Sequence, residues 1–273
     1  MITRRIFVDS RDATSGHSGN FLYTLPEQLV LPKNAVLYVT DLSMPHAFYS
    51  VDASNRALYL IETQSGVNTA RKILLTEGAY DVLTLRTALE LALNAGKTVS
   101  GSYTVTHNNT KNSYTISLDA GCTYRYFSDF MLATFSYRAD FILAGLTPTF
   151  PYNTPDDLLG LRMKTYSASS TLTTGHIDIR NIHQAFLHSS SLTSYNTSGP
   201  LGTRSCLCRI PITTQYGDMI AFQHSGLLHD YVSCGAVSAS TLQFSLKDSY
   251  NQDLNLQGGD VSFTLLFAEQ PVI

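Results

Sequence analysis

Apolar and polar residues alternate along two runs near the C-terminus. In Thr241–Leu246, Leu242, Phe244 and Leu246 alternate with Gln243 and Ser245. In Val261–Phe267, Val261, Phe263, Leu265 and Phe267 alternate with Ser262, Thr264 and Leu266. A period of two puts one set on each face of a pleated strand, so both runs are expected to be half-buried antiparallel strands. The stretch between them, KDSYNQDLNLQGGD, is polar. The pair reads as a closing β-hairpin, with Gly258-Gly259-Asp260 as the tight turn before the last strand.

The same reading upstream finds Phe21–Leu25 as a short strand stopped by Pro26, after the loop Ser15–Asn20. Ala35–Met44 follows, apolar on both rows in its first half, which predicts a central strand covered on both faces and ended by Pro45. Ala57–Glu62 and Lys72–Thr76 are further strands around a turn at Gly66. One window has helical period: from Asp81 to Asn94, Val82, Leu85, Leu89, Ala92 and Leu93 share a face, Asp81 can cap the start and Gly96 lies past the end. Ser102–Thr106 and Ser113–Leu118 flank the turn composition HNNTKN and predict a hairpin. Beyond residue 175, His176–Leu187, Arg204–Ile212, Asp218–Phe222 and Leu228–Ser233 read as strands. About a dozen strands suffice for a two-sheet sandwich.

These elements predict a mainly β chain: an antiparallel β-sandwich with a small inserted α+β module. The expected organisation is an N-terminal arm over 1–20, a sandwich from 21–63 and 165–273, and an inserted module over 64–164. The arm is polar and flexible in composition, with Phe7 and Val8 free to lie against a partner.

Only 14% of the 273 residues are charged and the net charge is −3. A surface of neutral polar and aromatic residues lacks charge repulsion between copies and suits a subunit that packs against neighbours. No cluster of Lys or Arg offers the counterion release that a nucleic-acid groove needs. No apolar segment is long enough to span a bilayer and the N-terminus lacks a secretory h-region, so an intracellular chain with free, buried cysteines is expected.

Candidate chemistry is thin. Cys206-x-Cys208 resembles half a metal site, with Cys234, His224 and His229 as further donors, but the spacings of a zinc site are missing. His17-Ser18 and His224-Ser225 lack the strand–turn–helix setting of a nucleophile elbow. Asp156-Asp157 is the obvious carboxylate pair, and reads as a cap or a solvated loop. No cofactor and no catalytic residue is expected. Aromatic residues in loops, Tyr49, Tyr152, Tyr195 and Tyr216, are candidate contacts between subunits.

Several segments taken in order resemble the penton (vertex, minor capsid) proteins of polinton-like viruses, adintoviruses and virophages. Phe7–Asp9 with Gly19–Leu25, Leu31-Pro32 and Leu37–Tyr49 resembles that family's opening, and Gly78–Asn94 with Tyr103–Leu118 its Gly-x-Tyr, helix, hairpin module. Ile179–Ile212 and Leu242–Phe267 are similar to its closing strands. Residues 119–175 match nothing in it. The resemblance implies a single jelly roll that forms a homo-pentamer at icosahedral vertices, touches the major capsid protein, binds no specific nucleic acid and resides in a virion assembled inside the host cell. It carries over no catalytic residue. A lectin-like sandwich binding glycans or a host receptor is the alternative from composition.

Overall fold

The structure is a computed structural model that describes residues 4–180, 182–192, 198–224 and 231–269. The chain divides into two compact units, Met1–Phe48 with Ile182–Ile273, and Tyr49–Asn181. Four strands come before the second unit: β1 (Arg4–Asp9), β2 (Ser15–His17), β3 (Asn20–Leu31) and β4 (Ala35–Pro45). The second unit holds β5 (Ala57–Gln64), β6 (Val67–Leu74), α1 (Val82–Asn94), β7 (Tyr103–Asn108) and β8 (Ser113–Leu118). It continues with β9 (Thr123–Phe127), α2 (Asp129–Leu132), α3 (Phe135–Leu143) and β10 (Thr171–Thr173). The chain then returns to the first unit through β11 (Gln184–His188), β12 (Cys206–Pro211), β13 (Met219–Gln223), β14 (Val232–Ser233), β15 (Val237–Lys247) and β16 (Ser262–Glu269).

The first unit is two sheets, β1-β16-β4-β13 with β14 also on β4, and β12-β11-β15-β3-β2. Set aside the short β2 and β14 and take the other strands in chain order. The first pairs with the last (β1·β16), the second with the next-to-last (β3·β15), then β4·β13 and β11·β12, all antiparallel. That nesting is one long two-stranded ribbon wrapped around a core, which is the jelly roll. The second unit is inserted between the strands β4 and β11.

The inward rows expected from the alternation are the core. Leu242, Phe244 and Leu246 face Phe263, Leu265 and Phe267, all at most 2% exposed. The hairpin is not there. β15 and β16 lie in opposite sheets, and the Phe244 and Phe263 rings meet edge-on across the sandwich at 4.9 Å. Period two reports which residues face the core, but not which sheet a strand joins. The connection is not wholly polar either: Leu254 and Leu256 are buried in the same core. Gly19 lets the backbone of Leu254 approach, since a Cβ there would meet the Leu254 carbonyl oxygen at 2.1 Å.

Three other expectations change. β3 does not stop at Pro26. The pairing runs Ala239↔Leu29 and then Thr241↔Thr24, so a bulge on β3 absorbs the proline, which cannot donate to a ladder. Residues 4–9 are not a free arm. β1 pairs with β16 over its whole length, and Val8 is 2% exposed while Phe7 points outward. Among the described residues of His176–Leu187 only Gln184 onward is strand.

The second unit is wider than residues 64–164. β5 hydrogen-bonds β6 and β9 of the same unit, and residues 169–173 line up beside β9 and β8, so both flanks belong with it. It contains two three-stranded sheets, β10-β8-β7 and β6-β5-β9. Helix α1 starts at a capping box: the Asp81 carboxylate accepts from the N–H groups of Leu83 and Thr84, and the Thr84 hydroxyl accepts from the Asp81 N–H. Its buried stripe is Leu85, Leu89 and Leu93. The β5–β6 turn puts Ser65 at φ 52° and Gly66 at φ 79°, the two positive values of a type I′ hairpin.

Candidate assembly surface

A packing subunit works through what its strands turn outward. On β1 the alternation splits neighbours: Val8 is buried in the sandwich and Phe7 is 70% exposed. Val8 is therefore a core residue and not a contact between subunits. The flank behind Phe7 is closed locally, by the Tyr23 hydroxyl donating to the Phe7 carbonyl (3.3 Å) and by an Arg4–Glu27 ion pair (3.5 Å). Tyr216 is half exposed beside the ring of His46, whose Nδ1 lies 3.0 Å from the Thr214 carbonyl oxygen.

Tyr49 is half-buried. Tyr152 is buried in the second unit, its ring edge-on to the exposed Phe150 and its hydroxyl accepting from Arg138 at 3.5 Å. It packs under its own loop. Tyr195 lies outside the described residues. The candidates that stand on the surface of the first unit are thus Phe7 and Tyr216.

Val30 (68% exposed), Met219 and Leu201 belong to the same surface class and escaped the reading from pattern. Val30 had a signal. It sits between the buried Leu29 and Leu31, so period two turns it outward once β3 is allowed to run past Pro26. The outer face of the first sheet also carries an aromatic group, Tyr38, with His224 and Tyr231 edge-on to its ring at 5.4 and 6.2 Å.

The residues weighed for catalysis are placed otherwise. Asp156 is not solvated: it is buried, accepting from the Tyr126 hydroxyl (2.5 Å) and from the Asp129 N–H at the start of α2 (2.7 Å). Burial drives its carboxyl up to about 6, against the pull of those two bonds. Asp157 turns away to an exposed pair with Arg162. His17 forms a turn, its Nδ1 accepting from the Gly19 N–H. The four cysteines carry free thiols, and burial pushes Cys206 up to about 11 and Cys234 to about 12. Ser225 and His229 lie outside the described residues.

One buried charged group gave no signal in the sequence. Glu62, fully buried, accepts from the Thr98 N–H and hydroxyl, the Tyr103 hydroxyl and Arg71. Burial raises its carboxyl, but those bonds outweigh it and hold the group below the usual range. Arg71 also donates to the carbonyls of Leu93 and Ala95, closing the C-terminal end of α1. The arrangement ties a helix to a sheet; it leaves no open position for a substrate. Among the described residues no helix is long and apolar enough to cross a membrane.

No family model matches the chain, and no curated protein matches its sequence. Among solved structures it is similar to the crystal structure of the mavirus penton protein, with a TM-score of 0.52 and 12% identity. The match covers 98% of this chain and 99% of that one. The chain therefore has, over nearly its whole length, the fold of the mavirus penton protein.

Proposed function

We propose that this protein is a penton subunit, a structural capsid protein that forms a homo-pentamer at icosahedral vertices and meets the major capsid protein there. The observation that supports the reading most is the fold shared with a penton protein over 98% of the chain, inserted unit included. The first unit suits that role, since its jelly roll exposes Phe7, Val30 and Tyr216 while Leu242, Phe244 and Phe263 fill its interior. Few charges stand on its surface to oppose contact between copies. In this reading the protein acts by assembly, as part of a virion, and not by catalysis.

Native mass spectrometry of the purified protein tests it. Five copies in one particle are expected, with image averages of five-fold symmetry. A monomer that persists at high concentration, and that binds glycans saturably, would move the assignment to a binding module.

A further inference from the structure

Sheet edges offer unpaired N–H and C=O groups, and stable proteins cover them. In the second unit the three long edges are β7, β9 and β6. On β7, the N–H of Tyr103 donates to Asn94 Oδ1 (2.9 Å), the Asn94 amide donates back to the Tyr103 carbonyl (2.8 Å), and the Val105 N–H donates to Glu90 (2.8 Å). Side chains of α1 thus close that edge. On β9, Tyr124 exchanges both backbone bonds with Ser169 (2.9 and 3.0 Å).

That exchange fixes the state of β6. Because Tyr124 faces Ser169, its neighbours Thr123, Arg125 and Phe127 bond to Thr63, Ile61 and Tyr59 of β5. The other β5 residues, Leu58, Leu60, Glu62 and Gln64, then bond to Ile73, Arg71, Thr69 and Val67. Asn68, Ala70, Lys72 and Leu74 are left with N–H and C=O aimed off the sheet. The Leu75 N–H donating to the Arg56 carbonyl continues the same alternation. Among the described residues no backbone bond reaches those four.

Two grooves lie beside them. A groove of about 430 Å³ runs along Ala70–Leu74 toward Ala92, Ala95 and Gly96 at the end of α1. A second, of about 320 Å³, lies on Asn68 and Ala70 toward Asp140, Leu143 and Ala144 of α3 and its end. The edge is not guarded by its lysine: Lys72 folds back over the Tyr59 ring, with Nζ 5.5 Å from its centroid. Ala70, Lys72 and Asp140 all lie on the α3 side of the sheet, and among the described residues neither Lys72 nor Asp140 has an ion-pair partner.

We propose that β6 is a docking edge for an extended segment of another polypeptide, which enters antiparallel as a fourth strand beside β6. Charge complementarity sets the chemistry of that segment. It carries a carboxylate opposite Lys72 and, four residues on, a cation opposite Asn68, beside Asp140. The residues opposite Arg71 and Thr69 turn to the α1 groove, whose alanines and glycine leave room for apolar side chains. The vertex reading is not needed for this inference.

Fluorescence anisotropy of a labelled acetyl-TEVALKT-amide peptide, titrated with the full chain, tests it. Saturable binding is expected, and N-methylation of the peptide's alanine should weaken it roughly tenfold or more, since that amide pairs with Ala70. Lys72→Glu, a surface change, should reverse the preference so that TKVALKT binds better than TEVALKT. Absence of saturable binding up to about 1 mM, or binding indifferent to N-methylation, overturns the proposal. A dimer that Ala70→Pro abolishes, with no peptide bound, assigns the edge to a second copy and overturns it as well.

Discussion

The two units are held together by different physics. The core of the jelly roll is a slab of leucine, phenylalanine and valine from two sheets, and its buried polar residues are uncharged serines, a threonine and two histidines. The inserted unit buries Glu62, Arg71 and Asp156, and hangs its small sheets and short helices on them. Its sheets also pack on apolar clusters of their own, one around Leu85, Leu89 and Leu93 of α1 and one around Phe127 and Phe141. Side-chain networks finish what packing starts. The jelly roll should therefore yield to losses of volume, and the inserted unit to losses of a partner.

The largest expected effect is on the Glu62–Arg71 pair. Arg71→Ala leaves a carboxylate buried without its cation and frees two carbonyls at the end of α1, and removal of one partner of a buried pair costs about 3–5 kcal/mol. Hydrogen exchange of amides in α1 and β5 should speed up accordingly, while amides of β4 and β16 hold. The double change Glu62→Gln with Arg71→Met should recover more than half of the loss, because no charge is left unpaired. A loss below about 1 kcal/mol in Arg71→Ala would remove the distinction between the units.

Next comes pH. Asp156 has its carboxyl raised to about 6 from an ordinary 3.8, chiefly by burial, and Asp129 is raised in the same direction by the same cause. The folded state thus holds a proton that the unfolded chain gives up. The stabilisation is fully present below about pH 4 and disappears as pH rises through about 6, a swing of roughly 3 kcal/mol for a shift of that size. Glu62, held low, works the other way, and its contribution falls away only on acidification below its ordinary range. Between pH 5 and 7.5 Asp156 sets the trend in the inserted unit, while His188 of the jelly roll, held low by burial, works the other way there. Exchange in β9 and α2 should quicken over that interval, and Asp156→Asn should flatten the profile. A flat profile in the unaltered protein would place the proton elsewhere.

The same contrast explains what could be read beforehand. Alternation in Leu242–Leu246 and Val261–Phe267 identified core residues because every second side chain meets an apolar slab. It was blind to the sheet each strand joins, which depends on the fourteen-residue path between them and on where Leu254 and Leu256 are buried. Helix α1 was legible from its leucine stripe and its cap. α2 and α3 were not: α2 is a single turn tied by Ser128, and α3 buries one residue, Phe141, so neither has a stripe to detect. Asp156 and Glu62 looked like ordinary acids, since their partners Tyr126, Thr98 and Tyr103 lie tens of residues away. Of the surface candidates, Phe7 and Tyr216 are exposed, whereas Val8 and Tyr152 are buried.

The smallest effect on stability is also the sharpest test of the outward face. Phe7 and Val8 are neighbours on β1, one 70% and the other 2% exposed. Val8→Ala removes buried methyl groups and should cost about 2 kcal/mol, read in the jelly-roll strands. Phe7→Ala takes a large ring from water and should leave stability within about 0.5 kcal/mol. Its consequence should appear in association: if the protein forms the proposed pentamer and Phe7 lies against a neighbouring subunit, the variant folds as before but the pentamer dissociates at a higher protein concentration. Equal destabilisation by both changes would mean that Phe7 is packed at home, and the search for the subunit contact would move to Val30 and Tyr216. Unchanged association with unchanged stability would remove Phe7 from the surface that does the assembling, and leave β1 as a purely structural edge.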